Sequence, residues 1–361
     1  MDKKPEFHGS DLEKIAEYYQ IPMESIVRFG ANVNPLGLSD SLKKQLAGHL
    51  DIISSYPDRN YTSLKNAISA YCGAAAEHIV VGNGSTELIS LLISQRHAKK
   101  TLVLGPTYSE YERELSLTGG IITHYNLKES EDFILNVGDF LSALDDNIDL
   151  VILCNPNNPT SSAIRTGDME QILAYCKARD IFVMIDETYV EFAPDVSAIT
   201  SIPLAEKYDN LMIIRGVSKF FAAPGLRFGY GITSNEAFLK ALLTHQNPWS
   251  LNSIGAYAGE LMLKDTAYIQ ETRKLICSER DRLMKMLREM PHLKTYEPDA
   301  NFILVRILTP GVTSFDVFEA AIKEKMMIRD CSSFTSLKGE YVRFCIMMPA
   351  DNDRQMKILR T

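Results

Sequence analysis

Six short apolar runs dominate the middle of the chain: HIVVG, KTLVLG, GIITHY, DLVILCNP, DIFVMIDE and NLMIIRG, all between residues 78 and 216. They are rich in β-branched residues and mostly unbroken by charge, which marks them as strands. Between them lie stretches such as STELISLLISQ and GDMEQILAYCKARD, whose apolar residues recur at helical spacing. Strands that are apolar along their whole length are covered on both faces. The alternation therefore predicts an α/β protein with a mainly parallel sheet between layers of helix.

From about Asn252 the rhythm changes to one long helical segment, NSIGAYAGELMLKDTAYIQETRKLICSERDRLMKMLREM, with a break expected near Lys264 to Tyr268. NFILVRIL, SFDVFEAAIKEK, MMIRD and YVRFCIM follow and predict a small α+β lobe. The expected division is an N-terminal segment, 1–45, packing with the small lobe, a large domain, 46–255, and the long helix with the small domain, 256–361. The final MPADNDRQMKILRT reads as ending with little helix, which would weaken the last packing contact.

Charge and cysteine usage exclude several function classes. The 46 acidic and 38 basic side chains leave a net charge of −8, and without a dense Lys/Arg run this argues against a nucleic-acid partner. No apolar run approaches the roughly 20 residues of a membrane-spanning helix. The polar start, MDKKPEFHGSDLEK, lacks the apolar core of a secretory signal, so a cytoplasmic location is expected. The 6 cysteines form no CxxC pair and read as reduced packing residues, with no metal site.

In open α/β sheets ligands sit beyond the carboxyl ends of the strands, so the residues after each apolar run carry the functional argument. After HIVV comes GNGSTE, Gly82 to Glu87, where glycines and a helix start offer N–H groups to a phosphate, although a plain capped Gly turn looks the same. After DLVILC comes NPNNPT, Asn155 to Thr160, a rigid turn presenting amides. After IFVMI comes DETYVEF, with Asp186 and Glu187 at an apolar strand end, where a carboxylate needs a partner; a structural ion pair fits equally well. After NLMII comes RGVSKFFAAPGLRFGYG, with Ser218, Lys219 and Arg227. A lysine at the apolar top of a sheet has its ammonium form disfavoured, the condition for forming a Schiff base with an aldehyde.

The ordered set GNGSTE, PTYSEY, NPNNPT, DETYVEF, SK and PGLRFGYG resembles the fold-type I pyridoxal-phosphate enzymes of the class I/II aminotransferase superfamily, over essentially the whole chain. The resemblance implies the aspartate aminotransferase-like fold, with a seven-stranded, mainly parallel sheet and a small α+β domain. It implies pyridoxal 5'-phosphate as cofactor, with Lys219 as its Schiff-base partner and Asp186 paired to the ring nitrogen. Asn158 and Tyr189 would donate to the ring's phenolate oxygen, and Tyr108 would stack on the ring. Gly84, Ser85, Thr86, Ser218 and Arg227 would hold the phosphate. Tyr56, in SYPD, would reach it from a neighbouring subunit, so that a homodimer completes the site. Arg343, in YVRFCI, matches the arginine that clamps a substrate carboxylate. Ser161 stands where the family usually has glycine, and a different turn is expected there.

Two subgroups of the superfamily look similar, both acting on phosphorylated small molecules: L-threonine-O-3-phosphate decarboxylases of cobalamin biosynthesis and histidinol-phosphate aminotransferases. Arg329, in MMIRD, would serve the substrate phosphate in either. The start FHGSDLEKIAEYYQIP resembles the HGG start of the decarboxylases and places His8 and Gly9 at the substrate, although HGGN reads HGSD here. FGANVNPLG resembles their SANINPLG and adds Asn32; QNPWSLN, with the only tryptophan, Trp249, resembles their Pro-Trp-Ser segment. Decarboxylation of phosphothreonine is thus the leading expectation and transamination the alternative. A catalytically idle aminotransferase-like module is a third, against which the intact Lys219 and Asp186 argue.

Overall fold

The computed structural model describes Phe7 and residues 11–360. Seven strands form the main sheet: β1 (Ile79–Asn83), β2 (Lys100–Gly105), β3 (Ile121–Asn126), β4 (Leu150–Cys154), β5 (Phe182–Asp186), β6 (Leu211–Gly216) and β7 (Phe228–Ile232). Their order is β1-β7-β6-β5-β4-β2-β3. The four pairings from β6 through β5, β4 and β2 to β3 are parallel, whereas β7 runs antiparallel to both its neighbours. All of β4, β5 and β6 is buried, as continuous apolar strands between two helical layers must be.

The sequence rhythm identifies six of these strands but not β7, whose FGYGI alternates aromatics with glycine. Tertiary packing demands the first of those glycines: a Cβ on Gly229 would lie 2.5 Å from the Ser85 backbone nitrogen.

The long helical segment is two helices, Ser253–Lys264 and Thr266–Arg288, as the expected break implies. Asp265 makes the break: its carboxylate accepts from the Tyr268 backbone N–H at 3.1 Å, capping the second helix, and from the Ser39 hydroxyl at 2.6 Å. Beyond it lies an antiparallel sheet of β8 (Leu293–Thr295), β9 (Phe302–Ile307), β10 (Arg329–Asp330) and β11 (Glu340–Cys345), in the order β10-β11-β9-β8. The segment around Val27 to Gly30 lies along this sheet. The Val27 N–H donates to Lys325, that of Gly30 to Met327, and Phe29 accepts from Cys345.

The chain end corrects the expectation of little helix. Pro349–Arg360 is a 12-residue helix that buries Asn352, Gln355, Met356 and Leu359. Those four positions share one helix face, and the polar average of the segment hides it. The Asn352 amide also donates to Glu279 at 2.7 Å, tying this helix to the long one.

Candidate active site

A cavity of about 1070 Å³ opens at the carboxyl ends of the main strands, and the small sheet closes its far side. Most of the sequence-predicted residues line it: Gly84, Ser85, Thr86, Tyr108, Asn158, Asp186, Tyr189, Ser218, Lys219, Arg227, Asn32, Arg329 and Arg343. Two kinds of prediction fall elsewhere. Tyr56 is 79% exposed and stacks on Trp249 with ring centroids 4.6 Å apart, outside the cavity of its own chain. His8 and Gly9 lie outside the described residues.

One end of the cavity gathers donors of the kind that suit an anion. The helix Gly84–Arg96 begins directly at the end of β1, so its first N–H groups face the cavity. The Arg227 guanidinium lies across this helix start, so close that a Cβ on Gly84 would meet Nη2 at 2.4 Å; Gly84 also needs its φ of +80. Arg227 forms no ion pair among the described residues. Its Nη1 donates to the Pro224 carbonyl, at 3.2 Å.

In the middle, strand geometry separates the two acids of DETYVEF. Successive side chains leave a strand on opposite sides, so Asp186 faces the cavity and Glu187 faces away. Glu187 accepts from Arg215 at 2.8 Å, and Arg215 also lies 3.7 Å from Glu191, a buried structural ion cluster. Asp186 instead accepts three neutral donors: the Thr188 N–H at 2.9 Å and hydroxyl at 2.6 Å on Oδ1, and the Tyr111 hydroxyl at 2.7 Å on Oδ2. Burial raises its pKa, and these hydrogen bonds act in the opposite direction.

Lys219 reaches the cavity from the loop after β6, its ammonium donating to the Ala31 carbonyl at 2.9 Å. Burial first, then the positive charges of Arg343 and Arg227, lower its pKa to about 8. Tyr108 lines the same region, and burial pushes its hydroxyl up to about 12. Tyr189 accepts from the Asn32 amide at 3.4 Å and sets its ring edge against Phe302 at 5.0 Å.

At the far end two arginines stand directly opposite each other, Arg329 on β10 and Arg343 on β11. Such neighbours have Cβ atoms about 5 Å apart, and like charges there repel unless anions intervene. Neither forms an ion pair among the described residues. Arg343 donates to Asn158 Oδ1 and, at 2.8 Å, to the Gly30 carbonyl, while its Nε has no partner among the described residues. Arg329 donates to the Phe7 carbonyl and to Ser333 at 2.7 Å.

Ser161 takes a φ of +64, the left-handed conformation a glycine would favour, and its hydroxyl accepts from the Ala300 N–H at 3.0 Å. Sequence reasoning missed Tyr111 and Thr188. Both sit inside quoted motifs: Tyr111 lies in the helix Glu110–Ser116, just after the turn that carries Tyr108, and Thr188 lies two residues after Asp186.

A profile of the family "Aminotransferase class I and II" matches residues 24–359. The chain is 32% identical to a threonine-phosphate decarboxylase of Salmonella typhimurium, over 98% of this chain and 95% of that protein. It is 30% identical to a histidinol-phosphate aminotransferase of Methanococcus aeolicus, over 98% and 94%. The crystal structure of the histidinol-phosphate aminotransferase from Clostridium acetobutylicum superposes with a TM-score of 0.85 at 33% identity, covering 91% of this chain and 97% of that one.

Proposed function

The chain belongs to the class I and II aminotransferase family, and from that premise we propose that it is a homodimeric, pyridoxal-phosphate-dependent decarboxylase of O-phospho-L-threonine. The donor set fits the cofactor. Arg227, the helix start at Gly84 and the hydroxyls of Ser85, Thr86 and Ser218 suit a phosphate. Lys219, with its lowered pKa, suits an aldehyde, and Asp186, free of any ion pair among the described residues, suits a ring N–H.

When bound, pyridoxal phosphate supplies an electron sink that lets a bond at the substrate Cα break heterolytically. The chain's own residues choose the substrate and the bond. Arg343 offers a planar fork for a carboxylate, and Asn32 lies beside it at the Tyr189 hydroxyl. Holding that carboxylate perpendicular to the ring would direct the break to the Cα–carboxyl bond. Arg329 takes the phosphate. Lys219, whose neutral amine is available near pH 8, holds or delivers the proton at Nζ.

The observation that carries the reading is the facing pair Arg329 and Arg343, two cations without ion-pair partners among the described residues. Such a pair suits one small molecule with two anionic groups. Phosphothreonine carries a phosphate and a carboxylate, whereas histidinol phosphate carries only the first. A second reading, transamination of histidinol phosphate, is favoured by the similarity to the Clostridium acetobutylicum structure; there Arg343 would serve the carboxylate of the other amino-group partner.

Incubation of the cofactor-loaded protein with O-phospho-L-threonine, following CO2 and the amine by mass, decides between them when histidinol phosphate plus 2-oxoglutarate is run in parallel. CO2 release without consumption of keto acid is the expected result. Glutamate formation without CO2 would replace the first reading with the second.

A further inference from the structure

Asp186 is held in a way the proposed chemistry does not by itself require. It is 4% exposed, and no cation pairs with it among the described residues. Neutral groups from two parts of the fold surround it instead: Thr188 from its own strand end, and Tyr111 from the helix Glu110–Ser116 after β2. Tyr111 is itself 1% exposed, with its ring edge against Tyr108 at 5.6 Å.

The arrangement counts acceptor positions. A carboxylate oxygen accepts about two hydrogen bonds along its lone pairs. Oδ1 takes both of its bonds from Thr188, at 2.9 and 2.6 Å. Oδ2 takes one, from Tyr111, at 2.7 Å. Among the described residues one acceptor position is left. Because the donors are neutral, they orient the carboxylate without cancelling its charge, as an arginine would.

We propose that Tyr111 and Thr188 are positioning residues for the cofactor, acting through Asp186: their hydroxyls fix its carboxylate in one orientation, ionised, with a single vacancy on Oδ2 for the protonated ring nitrogen. The inference rests on the reading of the cavity as a pyridoxal-phosphate site. With either hydroxyl removed, the carboxylate is the stronger base and draws the shared proton away from the ring nitrogen.

The test uses the holoenzyme loaded with ring-¹⁵N pyridoxal phosphate, in wild type, Tyr111→Phe, Thr188→Val and Thr188→Ser. Two quantities are measured: the cofactor dissociation constant and the ¹⁵N resonance of the ring nitrogen. Tyr111→Phe and Thr188→Val are expected to weaken cofactor binding roughly tenfold, the scale of one lost hydrogen bond to a charged group, and to move the resonance toward that of neutral pyridine. Thr188→Ser, which keeps the donor, should restore both. A wild-type resonance in Tyr111→Phe and Thr188→Val would overturn the proposal even if binding weakened, since that pattern is structural loosening alone. If Tyr111→Phe does not fold, the contrast between valine and serine at 188 decides. A wild-type protein that takes up no pyridoxal phosphate would bring down the cofactor reading as well, so the two failures are distinguishable.

Discussion

At the scale of single residues, the property that matters most is the basicity of Lys219. Its nitrogen sits near two arginines and makes one hydrogen bond, to Ala31, so the fold disfavours its charged form and lowers its pKa from 10.5 to about 8. The neutral amine is the nucleophile. In cofactor-free protein, borohydride trapping of an aldehyde on Lys219 should therefore rise with pH and level off just above 8, where an ordinary lysine would continue to climb. A profile still rising steeply at pH 10 would contradict the depressed pKa. Stability carries the same signature. Between pH 8 and 10.5 the unfolded chain binds a proton at this site that the native chain does not, so raising the pH through that window stabilises the fold. Comparing urea unfolding of wild type and Lys219→Met across the window should show this slope in the wild type and its loss in the variant.

Single elements carry the next two expectations. The β10–β11 pair places Arg329 and Arg343 side by side because residues in register on antiparallel strands share a face. Arg329→Ala should raise KM for a phosphorylated substrate by roughly 10- to 100-fold, the scale of a charge-assisted hydrogen bond, with a smaller effect on kcat. Steady-state kinetics with the phosphorylated and dephosphorylated amino acid checks this, because the variant should no longer distinguish them well. The C-terminal helix Pro349–Arg360 is the second case. Met356 is 1% exposed, and Met356→Ala should cost about 2–5 kcal/mol in urea unfolding. A loss within about 0.5 kcal/mol, the range of surface substitutions, would mean that the helix is not packed as described.

At the scale of the whole molecule, the expectation concerns a second copy of the chain. Tyr56 stays outside the cavity of its own chain, exposed and stacked on Trp249, with Arg59 over the indole at 5.7 Å. If it completes the site of a neighbouring subunit, two inactive variants should complement each other. Mixing Lys219→Ala with Tyr56→Ala under conditions of subunit exchange should restore about a quarter of the wild-type sites, since half of a random mixture is heterodimer and each heterodimer holds one intact site. No recovery, with exchange verified by mass, would remove Tyr56 from the active site.

The sequence by itself determined the strand ends and therefore where chemistry could gather. Apolar runs followed by GNGSTE, NPNNPT, DETYVEF and SKFFAAPGLR are local patterns, legible because burial and turn chemistry act over a few residues. Local pattern also placed a break near Lys264 to Tyr268, and the structure puts it at Asp265, which caps the second helix. The tertiary structure decided everything that depends on a partner distant in sequence. It turned Asp186 toward the cavity and gave Glu187 to Arg215, and it brought Tyr111 to a carboxylate 75 residues away. It set Arg343 against Asn158, 185 residues distant, made a strand of FGYGI, and folded the polar-looking chain end into a packed helix. Hydrophobic periodicity says which residues leave water, but which buried polar groups meet is fixed only when strands and helices from distant parts of the chain pack together.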